Sequence, residues 1–504
     1  MNRRDFIKQT GCVAMGSTTL LSTLTSLGAV NGAVGSSLSN KRSNEDYKAL
    51  VCILFSGGMD SYNMLIPAGT TVGGDNGFND YKNVRSDLAI QTASSLWALN
   101  NAQCKGFRGM PCNYGSFGVH PSMQGVSQLF NSGKLAFMSN IGTLVEPVMN
   151  KAEYQSGLKK LPLGIYSHSD QIMQWQTSVP QSREALGVGG RLADLFNASN
   201  SYQEISMNIS LNGKNTFQRG KDVSEYAISN NIDPNNVGIA SLPSWWSNSG
   251  SLTDLRNNSI DSLVSKVYSN LLQKTYSTTT KKSIDSFDIF KEALKKVPSI
   301  TTSFPTTNLA KELLAVAKVM SVRNDLGAKR QTFFVNYGGW DMHDNLVTGM
   351  TNQLSVVSQA MKAFYDATAE LGIAENVTTF TISDFGRTIT SNGLGSDHAW
   401  GGNTMVMGGA VNGGKVFGAF PKMDVVTNPQ NISFRGNFIP SISTDEMYAE
   451  LALWYGVSPY DLCYVLPNLH NFYSYSPNNY PVGFMNFNGA TISNVDKPQS
   501  CLTY

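Results

Sequence analysis

The run ALVCILF, residues 49–55, is apolar at every position and stops abruptly at SGGMD. A strand with one face in water alternates apolar and polar side chains. A continuous run of this length therefore predicts a strand buried on both faces, as in a parallel sheet covered by helices. Similar runs recur in KLAFMSNIG, RQTFFVNYGG, NVTTFTIS and NTMVMGGAV. Helical patterns lie between them in HPSMQGVSQLFNSG, LAKELLAVAKVMSVRNDLG and LSVVSQAMKAFYDATAELG, each closing on a glycine suited to a helix C-cap. The alternation predicts an α/β fold, a sandwich with a central, mostly parallel sheet and helices on both faces.

One large domain over residues 48–475 accounts for these elements. Residues 196–306 are rich in Asn, Ser and Thr, with one strand pattern (ISMNISLNG) and one amphipathic helix pattern (SIDSLVSKVYSNLLQKTY). They are expected to form an insertion or cap over the sheet, and residues 476–504 a C-terminal tail. Further on, STDEMYAELALWYG carries a capping box, Ser443 with Glu446, and ends at Gly456.

The first 34 residues are not expected to belong to the fold. NRRDFIK followed by a weakly apolar, serine-rich run has the form of a twin-arginine export signal, with Arg3 and Arg4 read by the translocation machinery. Cleavage is expected near Ala29 to Ala33, followed by a linker over residues 35–47. The run is short for a membrane span, so an uncleaved anchor is the weaker alternative and no stable span is expected after cleavage. The expected destination is the periplasm or the extracellular space. Cys104 and Cys112 flank a short Gly/Pro-containing loop and could pair in such a compartment, whereas Cys52 lies inside an apolar strand. A formal net charge of +2, with 15% charged residues, argues against a nucleic-acid partner.

Three carboxylates follow three strand patterns: Asp60 after the first, Asp341 after TFFVNYGGW and Asp384 after VTTFTIS. Ligands of open parallel sheets bind beyond the carboxyl ends of the strands, so these three could converge. His343 lies two residues after Asp341, and Asp397 adjoins His398. Carboxylates clustered with imidazoles suit a divalent ion of the zinc, manganese or iron type. Oxygen ligands alone would suit magnesium or calcium. Each piece also has a plain reading, since Asp-X-His and Asp-His occur in ordinary turns. Asp60 could cap a helix, with Gly57 and Gly58 serving close packing.

Arg387 could clamp a phosphate or sulfate bidentately, or pair with one of the nearby acids. His168, in YSHSDQIMQWQTS, is expected on a pocket wall, and Ser61 is the most accessible candidate nucleophile. His120 and His470 read as capping or packing residues. No G-x-S-x-G elbow and no G-x-G-x-x-G after the first strand are present, which argues against a serine hydrolase and a dinucleotide fold.

Taken together and in order, the twin-arginine leader, LFSGGMDSYNMLIP, GVHPSMQGVSQLFNSGKLAFMSNIG, YSHSDQIMQWQTS, GVGGRLADL, GGWDMHDN, SDFGRTITSNGLGSDHAWGG and GGKVFG resemble the family called domain of unknown function 1501. That family is grouped with the alkaline-phosphatase-like superfamily, which includes sulfatases and phosphomutases. The resemblance implies an alkaline-phosphatase-like sandwich with a metal site at the carboxyl edge of its sheet. It makes Asp60 the counterpart of the first metal ligand, and Asp341, His343, Asp384, Asp397 and His398 matches to the family's acid and histidine elements. The phosphatase-like acid-histidine pair directly after the strand is absent, because Phe385 follows Asp384. The expectation is an exported metal-dependent hydrolase of phosphate or sulfate esters, an anionic ester or glycan being its substrate. The alternative is a non-catalytic binding or assembly protein for glycans or cell-surface partners on the same fold.

Overall fold

The computed structural model describes residues 47–487 except 71–75, 184–185, 203–204, 477–478 and most of 231–267. The expected export signal, most of the linker, part of the expected cap and the end of the expected tail lie outside the described residues. The chain builds one large sheet from β1 (Lys48–Phe55), β5 (Leu135–Gly142), β6 (Asn208–Ser210), β7 (Tyr226–Ala227), β8 (Arg330–Asn336), β9 (Val377–Ser383), β10 (Gly402–Gly408), β11 (Val416–Gly418) and β12 (Ile442–Ser443). Their order is β11-β5-β10-β9-β1-β8-β6-β7, with β12 also on β5. A small antiparallel sheet joins β2 (Leu65–Pro67), β3 (Trp97–Leu99) and β4 (Phe117–Val119).

The apolar run of β1 is buried on both faces, as its sequence requires. Ala49, Val51, Ile53 and Phe55 enter one core, and Leu50, Cys52 and Leu54 enter the other. The first core is closed by helices α2 (Gln124–Asn131), α6 (Asn308–Ser321) and α7 (Leu346–Glu370). The second is closed by α4 (Val188–Phe196) and α8 (Thr444–Tyr455). Two shorter elements matter for the site: α1 (Gly77–Arg85) and α3 (His168–Thr177). A longer helix, α5, spans Leu271–Leu294. Helix α8 starts with the expected capping box on Ser443 and Glu446 and ends at Gly456 in the left-handed conformation. The expected α/β class, with its mostly parallel sheet and helices on both faces, is therefore what is observed.

Three local differences have simple causes. Strand β10 runs antiparallel to both neighbours, because residues 384–401 form a hairpin-like excursion where a parallel return would need a crossover helix. Within the segment expected as a cap, β6 and β7 extend the main sheet beyond β8, Ser259, Ser262 and Leu263 are helical, and a further helix spans Leu271–Leu294. In the expected tail, Phe484 and Met485 are buried, and Glu450 of α8 accepts the N–H groups of Val482, Gly483 and Met485 at 2.6–2.8 Å. Cys104 and Cys112 form a disulfide, and no helix among the described residues is long and apolar enough to cross a membrane.

Candidate metal centre

The carboxyl ends of β1, β8 and β9 meet at one edge of the sheet, where parallel neighbours must all point the same way. Two further segments reach this edge. The excursion after β9 folds back on itself, Arg387 bridging to His398, so Asp384 and His398 become spatial neighbours although fourteen positions apart. Helix α3 begins there with His168, its N-terminus capped by the Ser167 hydroxyl, which accepts the Asp170 N–H.

Three imidazoles converge at this edge, and each has one nitrogen already committed. His168 Nδ1 lies 2.7 Å from Asp384 Oδ2, which also accepts the Gly57 N–H at 3.1 Å and so acts as an acceptor. His343 Nδ1 lies 3.3 Å from Asp397 Oδ1, whose carboxylate also accepts from Asn392 and Arg435. His398 Nδ1 lies 2.8 Å from the Tyr166 carbonyl oxygen, which can only accept. Each Nδ1 therefore carries the proton, and each Nε2 presents a lone pair. The Tyr166 carbonyl is placed by a left-handed backbone, φ 77°, fixed where Gln171 accepts the Tyr166 N–H at 2.7 Å.

These lone pairs face one another. His398 Nε2 is 3.2 Å from His168 Nε2 and 3.0 Å from His343 Nε2. The Asp341 carboxylate joins them, 3.0 Å from His343 Nε2, 3.5 Å from His398 Nε2 and 3.6 Å from His168 Nε2. A proton could bridge one nitrogen pair and would leave the other unrelieved. A cation relieves both. The ligand atoms of His168, Asp341 and His398 all lie within 4.8 Å of one another, and His343 flanks them beside His398 and Asp341. Ligands of a tetrahedral zinc, with Zn–N of about 2.0–2.1 Å, stand roughly 3.3 Å apart, so the spacing fits. The committed Nδ1 groups supply the outer hydrogen bonds that metal-binding histidines need.

Charge around the cluster is arranged to match. Burial raises the Asp341 carboxyl, but the hydrogen bond and charge of Arg387 outweigh this, with His168 and His343, and hold it below its usual range. Asp397 is likewise held low, burial being overcome by Asn392, Arg435 and His343. Burial pushes Asp384 up, against the pull of His168 and the Gly57 N–H, and its Oδ1 is buried without a hydrogen-bond partner. His398 is lowered, chiefly by burial, so its Nε2 stays neutral below the usual histidine range. Phe385 packs on both His168 and His398, with ring centroids 4.7 and 4.5 Å away. This wall needs Gly58, where a Cβ would stand 2.3 Å from the Phe385 ring. At Gly57 (φ 117°) a Cβ would meet the Asp341 backbone nitrogen at 2.6 Å, so the glycine pair lets the β1 and β8 turns touch.

Of the residues singled out from the sequence, Asp341, His343, Asp384, Asp397 and His398 are brought together, and His168 with them. Their roles divide further than expected. Asp384 and Asp397 each face a histidine Nδ1, and His168 offers its Nε2 to the cluster as His398 does. Asp60 is elsewhere: it is buried and ion-paired to Arg85 of α1, which also donates to the Thr388 and Ile389 carbonyls. Burial raises its carboxyl despite Arg85 and Arg387. Ser61 is buried, and its hydroxyl accepts the Asn403 N–H at 2.7 Å, away from the imidazoles. Arg387 is fully buried. It donates to the Gly57, Gly58 and Ser396 carbonyls and to Asp341, and so takes the acid-pairing role rather than that of a free anion clamp.

In the rest of YSHSDQIMQWQTS, Trp175 lies in the second core and lines a small cavity with Ser61 and Phe385, and Asp170 pairs with Arg183. His120 is buried, pushed down to about 4 by desolvation, and its Nδ1 accepts the Ser122 N–H. His470 is exposed beside the Pro467 carbonyl. Three residues at the site carried no signal in the sequence: Arg435, Asn392 and the main chain of Tyr166. Only a lone Arg two residues after Ser433 and a lone Tyr after Gly-Ile were there to see.

A family model described as Protein of unknown function (DUF1501) matches residues 47–435. Among solved structures, Ps i-CgsB in complex with k-i-k-neocarrahexaose aligns over 82% of this chain and 72% of its own, at 10% identity and a TM-score of 0.31. The lipoteichoic acid synthase LtaP from Listeria monocytogenes aligns over 79% and 77%, at 8% identity and a TM-score of 0.27. At TM-scores this low neither likeness carries weight for chemistry. A comparison with curated proteins gives no match.

Proposed function

The chain belongs to the DUF1501 family, and we propose that it is a metal-dependent hydrolase of phosphate or sulfate esters. The observation that carries this reading is the meeting of three Nε2 lone pairs and a carboxylate, each imidazole oriented by an acceptor on its far nitrogen. His168, His398 and Asp341 would hold one divalent ion, with His343 as a fourth donor. The nitrogen-rich set favours zinc, manganese or iron over calcium or magnesium.

A bound ion of this kind polarises a phosphoryl or sulfuryl oxygen and lowers the pKa of its water. The chain's own residues do the rest. Asp384 and Asp397 fix the tautomers of His168 and His343, and Arg387 orients Asp341 from beneath while remaining out of solvent. Asp341 and His343 are about half exposed, leaving the cluster open for an ester to approach. Asp341, Asp384 and Asp397 set against Arg387 and Arg435 leave one net negative charge, which a divalent ion converts to one positive. That favours an anionic substrate. With Ser61 engaged elsewhere, water is the nucleophile of this reading.

The reading includes export by the twin-arginine machinery. The Cys104–Cys112 disulfide supports an oxidising destination, the periplasm or beyond. The experiment is elemental analysis of purified mature protein, followed by a panel of aryl phosphates and sulfates across pH. One equivalent of metal with ester cleavage is expected. Absence of metal after expression with zinc, manganese and iron supplied overturns the reading. Bound metal without turnover would move it to a binding protein on the same fold.

A further inference from the structure

Two segments bracket Asp397, and both carry exposed apolar side chains. Asn392 donates to Asp397 Oδ1 at 3.1 Å and to the His343 carbonyl at 3.1 Å. Two residues on, Leu394 is 72% exposed. On the opposite side Arg435 donates to Asp397 Oδ2, and its neighbour Phe434 is 82% exposed. The Phe434 turn is not loose. Ile389 and Thr390 donate their N–H groups to the Gly436 and Arg435 carbonyls at 3.3 and 3.2 Å, and the Ser433 hydroxyl bonds Asn437 at 2.7 Å. At Gly436, φ 83°, a Cβ would strike Ile389 at 2.2 Å. A rigid turn thus holds a bare aromatic ring in water, with the Arg435 guanidinium 5.7 Å from the ring centroid. Among the described residues only Nη1 of that guanidinium is hydrogen-bonded, and the side chain is 37% exposed, which leaves Nε and Nη2 to donate to a ligand.

We infer that Phe434, Arg435 and Leu394 form an outer subsite for a ring that bears its own anionic group, next to the ester bound at the metal cluster. Arg435 reaches the cluster through Asp397, whose other oxygen faces His343 Nδ1, and this places it to meet a substituent beside the scissile group. The exposed ring and Leu394 offer apolar faces, and the free guanidinium edge offers two parallel donors to a carboxylate, sulfate or phosphate. This deepens the hydrolase reading and rests on it for the neighbouring ester. It also corrects which arginine meets the substrate: Arg387 is fully buried and engaged, Arg435 is partly open.

Binding of phenyl phosphate and 4-carboxyphenyl phosphate to metal-loaded protein, read by calorimetry, tests the subsite apart from turnover. Wild type should bind the carboxylated ester about tenfold more tightly, and Arg435→Gln should remove that preference, both affinities being expressed per bound metal. Phe434→Ala leaves the Arg435–Asp397 bond in place and should weaken both ligands roughly threefold. Equal binding of the two by wild type, a preference that survives Arg435→Gln, or no binding of either overturns the subsite. Arg435-dependent preference without hydrolysis keeps the subsite and removes the hydrolase.

Discussion

Asp60 and Asp384 stand at equivalent places in the sequence, each just beyond an apolar strand that ends at the same sheet edge, yet they do different work. Asp60 turns inward to Arg85, and the pair is sealed from solvent. Asp384 is equally buried, but its outer partner is His168, whose other nitrogen faces the cluster. The charge of Arg387 acts on Asp60 and on Asp341 alike, so the inner pair and the outer cluster are consecutive layers of one edge. A strand-end acid acquires its role from the group that meets it. Here an arginine makes one acid part of the frame, and an imidazole joins the other to the histidine cluster.

Breaking the outer layer should have the largest effect. Asp341→Ala combined with His398→Ala is expected to abolish metal binding, measured by elemental analysis, with the circular-dichroism spectrum unchanged. His343→Ala should reduce affinity less than His398→Ala, because His343 flanks the compact trio. Breaking the inner layer should do the reverse. Asp60→Ala leaves Arg85 charged and buried, and should cost about 3–5 kcal/mol in urea denaturation while the folded fraction keeps its metal. Asp384→Ala sharpens the contrast, since it removes the acceptor that orients His168. Metal affinity should fall about 10–100-fold in competition with a chelator.

The pH dependence is the mildest test. Protons compete with the ion for Nε2, so metal is retained at neutral pH and released on acidification. Because burial holds His398 below the usual value of about 6.5, release should begin below that pH rather than at it. The same lowered pKa means that the folded apo protein binds fewer protons than the unfolded chain. Stability from His398 is therefore present above about 6.5 and lost as pH falls through the lowered value.

The frame was legible because its signals are local. The uninterrupted apolar run at 49–55 could only be a strand covered on both faces, and Ser443 with Glu446 marked a helix start that is observed. The antiparallel turn of β10 was less visible, since nothing in 384–401 announces a hairpin except its glycines. At the site, Asp341, His343, Asp384, Asp397 and His398 were marked by their positions near strand ends, but which of them face the shared cluster and which meet a histidine Nδ1 was not. That division depends on partners far along the chain: His168 meets Asp384 216 residues away, and His398 meets the Tyr166 carbonyl 232 residues away. Asp60 was drawn into the cluster because Arg85, 25 residues on, gives no sign in the sequence that it folds back.

A single cation would join side chains from three separate stretches of the chain. Diffraction from zinc-soaked crystals, recorded at the zinc absorption edge, tests this directly. An anomalous peak about 2.0–2.2 Å from His168 Nε2, His398 Nε2 and an Asp341 oxygen is the predicted result. A fully loaded crystal with no peak among these atoms, or one bound instead beside Asp60, would contradict it.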